Sequence, residues 1–197
     1  RFLLATCCDF KKTKEALADN LTFRESTKDL EIDAEILEFV SSGQIYIYGR
    51  DHAFRPIIVF EPSKFDIKRM IEPEYFLKPF TYFFEYVLDK LLIPGQVENW
   101  IVLINLKGMS LWDIPYNSLG KIIKFASGSY RSRLYRAYIL NAPWSITVPW
   151  NFAKGMLNEM QQTKMNIERS KYSKKMADHI RLDQLESKFG GTQPDTN

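Results

Sequence analysis

No apolar run in this 197-residue chain approaches the length that spans a bilayer. No secretory signal opens it either, so a cytoplasmic location with transient visits to membrane surfaces is expected. Cysteine is scarce. The two present, Cys7 and Cys8, are neighbours on what reads as a helix, which excludes a disulfide framework and points to a reducing compartment. The two histidines, His52 and His179, lie far apart in the sequence and lack the spacing of metal ligands. Ser127-Gly128-Ser129 is not a G-x-S-x-G nucleophile elbow, and Gly108 and Gly190-Gly191 are too isolated to form a phosphate-cradling loop. The chain therefore reads as a non-enzyme with no cofactor and no metal. Charge of one sign is lacking too: 27 Lys and Arg stand against 24 Asp and Glu, giving +3. That is too mild for a nucleic-acid footprint, though it favours an anionic membrane surface.

What the chain has is apolar and aromatic mass. Hydrophobic residues make up 45% and aromatic ones 14%, enough for a large core or an apolar ligand pocket. Two short runs dominate the middle of the sequence, IVLINLKGMSL from Ile101 to Leu111 and RAYILNAPW from Arg136 to Trp144. Each lacks polar alternation and stops at a small-residue turn, as strands buried on both faces do. The helix-length segment between them, Tyr116 to Ser127, makes the pair a βαβ unit with parallel strands. The sequence that follows, WSITVPWNFAKGML, is greasy yet carries no catalytic grouping. It points to holding an apolar ligand rather than reacting with it.

The rest can be placed around that unit. Asp9 caps a helix over Phe10 to Glu25, and the acidic stretch from Asp29 to Phe39 suggests a second, more exposed helix ended by Gly43. Gln44 to Tyr48 and Pro56 to Phe60 read as a hairpin. Pro73 and Pro79 flank the entry to a long amphipathic helix with Phe80, Phe83, Phe84, Val87, Leu88, Leu91 and Leu92 on one face. Trp100 to Asn105, Ala137 to Asn141 and Met165 to Ile167 are strands. Residues 148–158 form a helix opened by Pro149, and Ser170 to His179 and Asp183 to Lys188 form short basic ones. Asn20-Leu21-Thr22 matches a glycosylation sequon by chance.

Five segments, in order, resemble the CRAL-TRIO family of lipid-binding and lipid-transfer proteins. RFLLATCCDFKKTKEALADNLTFRE is similar to the family's RFLRARKFD and the helix after it, and GRDHAFRPIIVF to its GRD-x-x-GRPV strand entry. INLKGMSL resembles DLKG-x-S, RAYILNAPW a strand ending in INAP, and LDQLESKFGG the closing L-P-x-x-YGG. The resemblance implies an α/β sandwich, its mixed sheet flooring an apolar cavity under a mobile helical gate at Ser145 to Asn158. Residues 1–40 would be part of an N-terminal helical module and 41–197 the lipid-binding domain.

On that reading one lipid is the ligand and a membrane surface the transient partner. Phe84, Leu88, Trp100, Val102, Ile104, Leu134, Ala137, Ile139, Phe152 and Lys164 would contact the lipid. Trp144, Ile146, Val148, Trp150, Met156 and Leu157 would form the gate and touch the membrane. The family's inositol-phosphate positions fall here on Thr6, Ser132, Gln161 and Lys164, where only the lysine keeps the family residue. Its phosphatidylcholine-directed positions fall on apolar Trp100 and Val102. A buried phosphate needs charged or directed donors, so this substitution argues against the inherited headgroups. Arg131, Arg133 and Arg136 are replacement donors or, more simply, a solvated basic patch. The competing reading is a non-transferring interaction or lipid-sensing module whose cavity is partly filled by its own side chains. The sequence does not fix the oligomeric state.

Overall fold

A computed structural model describes residues 1–66, 68–109, 115–172 and 174–196, apart from the side chains of Glu74 and Lys174. Ser110 and Leu111, at the end of the first apolar run, lie outside the described residues. The apolar runs form one mixed sheet of β1 (Ile45–Arg50), β2 (Pro56–Phe60), β3 (Trp100–Asn105), β4 (Leu134–Leu140) and β5 (Met165–Ile167). The strands lie in that order. β1 pairs antiparallel with β2, and every later neighbour is parallel. β4 begins three residues before the expected Ala137, because a bulge lets Leu134 pair with Trp100 while Ile101 pairs with Arg136.

Parallel strands laid down in sequence order, with crossovers of one hand, put every connecting helix on the same face. Those helices are α4 (Pro73–Lys90), α5 (Tyr116–Ser129), α6 (Thr147–Met156) and α7 (Glu159–Gln162). Strand residues of one parity, Ile58, Trp100, Val102 and Ala137, accordingly share a core with Phe76, Phe80, Phe83 and Phe84 of α4. Those of the other parity, Ile57, Val59, Ile101, Leu103, Tyr138 and Leu140, pack against Met176, Ile180, Leu185 and Phe189 from the C-terminal segment. Among the described residues that segment contributes α8 (Lys174–Ala177) and two 3-10 turns, Leu182–Gln184 and Ser187–Phe189. The sheet is thus buried on both faces, as its lack of polar alternation requires.

Three helical expectations shift. Cys7 and Cys8, expected on a helix, lie instead in a turn between α1 (Phe2–Ala5) and the expected Asp9-capped helix, α2 (Phe10–Ser26), both with positive φ, 53° and 62°. The Thr6 hydroxyl donates to the Phe2 carbonyl and meets Thr13, and the Asp9 carboxylate accepts from the Lys12 amide at 3.0 Å to open α2. The acidic segment is helical only over α3 (Ala34–Ser41), capped by Asp33 on the Ile36 amide at 2.9 Å. Ile36 and Phe39, three residues apart, are its buried anchors. α4 starts at Pro73, so Pro79 sits inside it rather than at its entry.

The turn between β1 and β2 shows why Gly-Arg-Asp occurs there. Gly49 has φ of 68°, and a Cβ on it would lie 2.3 Å from the Gln184 carbonyl oxygen. The Arg50 guanidinium donates to the Leu91 carbonyl at 3.1 and 3.2 Å, meeting the negative end of α4. The buried Asp51 carboxylate accepts from the Ala53 and Arg55 amides at 2.9 and 2.8 Å and pairs with the Arg55 guanidinium at 2.8 Å. Arg55 in turn lies over the Tyr135 ring at 3.6 Å. Replacing Asp51 with Ala leaves two buried amides without their acceptor and takes the carboxylate from the Arg55 guanidinium, which keeps only Asn99 Oδ1 at 2.6 Å and the Tyr135 ring. The D51A chain should lose about 3 kcal/mol of stability, read as a lowered urea midpoint with an unchanged m-value.

Candidate functional site

The site is bounded by the carboxyl halves of β3 and β4, by β5 and by α6. Leu106, Ile139 and Ala142 are buried together there, with half-buried Ile104, Met109, Ile146, Met165 and Ile167 against them. Of these, Ile104, Ile139 and Ile146 belong to the sequence-expected set. Leu106, Met109, Ala142, Met165 and Ile167 were missed, although the pairing of Ala137 with Met165 and Ile139 with Ile167 brings β5 alongside.

The other expected lining residues lie deeper. Phe84, Trp100, Val102 and Ala137 are buried in the α4-facing core, and Leu88 and Leu134 are half-buried on its margin. The Phe84 and Trp100 rings stack with centroids 5.2 Å apart, and Tyr130 approaches them at 4.9 and 6.1 Å. These three rings therefore fill one another's space. Two surface concavities of about 670 and 310 Å³ are lined by other residues, the first by α1 and α2 and the second by Arg24, Thr27, Tyr82 and Asp89 among others.

The expected gate is the 3-10 turn Trp144–Ile146 running into α6. Trp144, Val148, Phe152 and Met156 recur every four residues along one side of the segment; Trp144 and Val148 face solvent at 82% and 66% exposed, while Phe152 and Met156, 39% and 42% exposed, also lean on α5. Pro149 is buried, and Ile146, Trp150 and Leu157 are half-buried on the inner side. α6 rests on α5. Phe152 meets Tyr116 edge-on at 5.2 Å, and a Cβ on Gly120 would lie 3.5 Å from the Met156 sulfur and 3.7 Å from the Phe152 ring.

Both ends of the gate are fixed by polar contacts. Asn141, with φ of 53°, donates through its side-chain amide to Asn105 Oδ1 at 2.7 Å, and the Ala142 amide donates to the Glu168 carbonyl at 3.0 Å. At the far end Asn158 and Gln161 form a reciprocal capping box, and Gln161 also donates to Ser127 Oγ at 3.1 Å. Asn105 continues into a buried network that sequence reasoning did not find. Its Nδ2 donates to Glu61 at 2.9 Å, and Lys188 joins Glu61 and Glu186 at 3.0 and 3.2 Å. Tyr46 donates to Glu186 at 2.7 Å. Burial alone would pull the Lys188 ammonium down, but its bonds to Glu61 and the charge of both carboxylates hold it above its usual value. Burial and Glu186 also push the Tyr46 hydroxyl well up, so it remains a donor.

The inherited headgroup positions are occupied by local bonds. Thr6 closes the α1 turn, Gln161 caps α7, and Lys164 Nζ donates to the Leu134 carbonyl at 2.8 Å. Burial and then the neighbouring Arg136 charge lower the Lys164 pKa. Ser132 sits in a turn at φ of 60°. Arg133 pairs with Glu98 at 2.6 Å and Arg136 donates to the Thr163 carbonyl at 3.2 Å, so these two arginines serve the fold. The histidines, distant in sequence, are joined through backbone: the His52 amide donates to the His179 carbonyl at 2.9 Å. No group of three His, Cys, Asp or Glu that could hold a metal occurs among the described residues.

Gly120 is the pivot of the gate contact. An alanine there makes ordinary contacts, whereas G120L places a branched chain where Phe152 and Met156 now lie. G120L should raise tryptophan quenching by acrylamide at Trp144 and Trp150 and speed amide exchange over residues 147–156, with G120A close to the parent.

Comparison with known proteins gives this arrangement its place. The model of the CRAL/TRIO domain matches residues 40–191. The Sec14 cytosolic factor of Schizosaccharomyces pombe is 26% identical over 148 residues, covering 70% of this chain and 52% of that protein. The CRAL-TRIO domain-containing protein C23B6.04c of the same yeast is 28% identical over 195 residues, 98% of this chain but 18% of its own length. The phosphatidylinositol/phosphatidylcholine transfer protein SFH4 of Arabidopsis thaliana is 24% identical over 213 residues, 98% of this chain and 34% of that one. The chain thus spans about half or less of these relatives. The crystal structure of Sfh5 superposes with a TM-score of 0.79 at 15% identity, over 100% of this chain and 70% of that one, and shares its fold. With a family match over most of its length and that fold beneath it, the chain belongs to the CRAL/TRIO domain family.

Proposed function

We propose that the chain binds one lipid between the carboxyl half of the sheet and α6, and transfers or presents it at a membrane surface. The observation that carries this reading is the apolar side of Trp144, Val148, Phe152 and Met156, open to solvent at the first two, beside the apolar cluster of Leu106, Ile139 and Ala142 that Ile146 joins. Soluble surfaces rarely leave such an apolar side in water without a use for it. α6 carries no acid and one cation, Lys154, so it can approach an anionic bilayer without repulsion. The relatives named as phosphatidylinositol/phosphatidylcholine transfer proteins support a lipid as ligand. Because Thr6, Gln161 and Lys164 are engaged locally, the headgroup is held by few directed charges, and the acyl chains supply most of the affinity at roughly 25 cal/mol per Å² buried.

In this mechanism that side partitions into the membrane, α6 swings on Asn141 and Pro143, and the apolar cluster opens to the bilayer. A second reading, a non-transferring module filled by its own side chains, is favoured by one observation: Phe84, Trp100 and Tyr130 close-pack where a ligand cavity would extend.

Solvent extraction of the purified protein should release about one lipid per chain, identified by mass spectrometry. Vesicle-to-vesicle transfer should slow at least fivefold in W144A/V148S, two exposed positions whose change leaves the core intact. A chain that carries no lipid and exchanges none would overturn transfer. If W100A then acquires lipid that the parent lacks, the self-filled module is the correct account.

A further inference from the structure

β3, β4 and β5 run parallel, so their carboxyl ends open on one rim of the sheet. Hydrogen bonds tie the three exits together. The Leu106 amide donates to the Leu140 carbonyl at 3.0 Å, the Asn141 amide to the Ser170 carbonyl at 3.2 Å, and the Ala142 amide to the Glu168 carbonyl at 3.0 Å. Asn105 Oδ1 accepts both the Asn141 side-chain amide at 2.7 Å and the Lys107 backbone amide at 3.2 Å. Residues 106–109, 141–146 and 168–172 therefore make one continuous surface.

Three cations stand on it. Lys107 follows β3, Arg169 and Lys171 follow β5, and all three are exposed. Strands spaced about 4.8 Å apart put the β3 and β5 exits about 10 Å from each other, on either side of β4. The chain that leaves β4 between them reaches Trp144, 82% exposed, three residues after Asn141. Elsewhere Arg24, Arg55, Arg133 and Lys188 each meet a carboxylate. Among the described residues the side chains of Lys107, Arg169 and Lys171 have no hydrogen bond or ion pair. Glu168 is the one acid in these three segments, and it is half-buried. Unpaired cations beside an exposed indole are complementary to a negatively charged leaflet. Headgroup phosphates and carboxylates attract the cations, and the indole suits the interfacial layer.

We propose that this rim is a docking surface for an anionic bilayer, with Lys107, Arg169 and Lys171 facing the charged headgroups and Trp144 seated among them. The proposal rests on the membrane visits proposed above and adds their selectivity. The chain distinguishes membranes by surface charge rather than by a headgroup held within the fold. Cations gathered on one rim also orient the molecule, because the surface potential draws that rim in first. Trp144 and Val148 then arrive facing the lipid.

Co-sedimentation with phosphatidylcholine vesicles, with and without phosphatidylserine, tests the surface. Binding should be on the order of 100-fold tighter to the phosphatidylserine vesicles, about fivefold for each of the three cations. That advantage should vanish in about 1 M salt, where the Debye length falls to about 3 Å. K107Q/R169Q/K171Q should bind the two vesicle types alike, and its circular dichroism should match the parent because these side chains hold nothing in the fold. K11Q/K14Q/K28Q, which removes the same net charge from α2 and the turn after it, should keep the preference. Equal binding of the parent to both vesicle types, or equal losses in the two triple variants, overturns the surface. Lipid transfer is scored separately. A chain that prefers anionic vesicles but moves no lipid keeps this surface and loses the transfer function. One that moves lipid between neutral vesicles with no such preference keeps transfer and loses the surface.

Discussion

Everything in this fold depends on covering a sheet that is apolar on both faces. β2 to β5 run parallel and in sequence order, so their crossovers all fall on one side. That single constraint places α4, α5 and α6 together and leaves the opposite face to the C-terminal segment. The helical side is wider than α4 alone can cover. α4 and its four phenylalanines seal the part near β2 and β3, while α5 and α6 are left with the part near β4 and β5. The candidate site thus lies in the less tightly sealed half of one helical layer.

Much of this was legible in the sequence because it is local. β2, β3 and β5 have the bounds their apolar runs suggest, and the Asp9 cap, the α5 span and the apolar segment after the NAP turn needed only neighbouring residues to be read. Non-local features were not legible. Glu61, Asn105, Glu186 and Lys188 look like ordinary surface residues in sequence, yet they meet across the sheet edge in a buried network. The break at Cys7 and Cys8 was hidden because cysteine carries no turn preference, and the apolar residues on either side continue a helical pattern. Pro79 misled for the opposite reason: a strong local rule against proline in helix interiors yields here to the aromatic packing of α4.

The lining residues show where family resemblance and physics part. Position alone assigns Trp100 and Val102 to the ligand cavity, but large apolar side chains at adjacent inward positions are drawn to one another. Phe84 and Tyr130 close over Trp100 as any aromatic cluster does. In the proposed lipid site the apolar surface left for a ligand is therefore the half-buried one of Ile104, Ile146, Met165 and Ile167, with the inner face of α6. A ligand there meets flexible methionines and γ- and β-branched chains rather than fixed donors, which favours shape tolerance over headgroup discrimination.

The way the second face is covered has a consequence for the birth of the molecule. Ile57, Val59, Ile101, Leu103, Tyr138 and Leu140 wait for Met176, Ile180, Leu185 and Phe189, which are synthesised after every strand of the sheet. As the chain leaves the ribosome, β1 to β5 can pair while one whole side of the sheet still faces water. Such an intermediate is a strand-rich, half-dressed platform, the kind that associates with its own copies or recruits a chaperone. The segment from Met176 to Phe189 thus decides whether the nascent sheet closes on itself or on a neighbour.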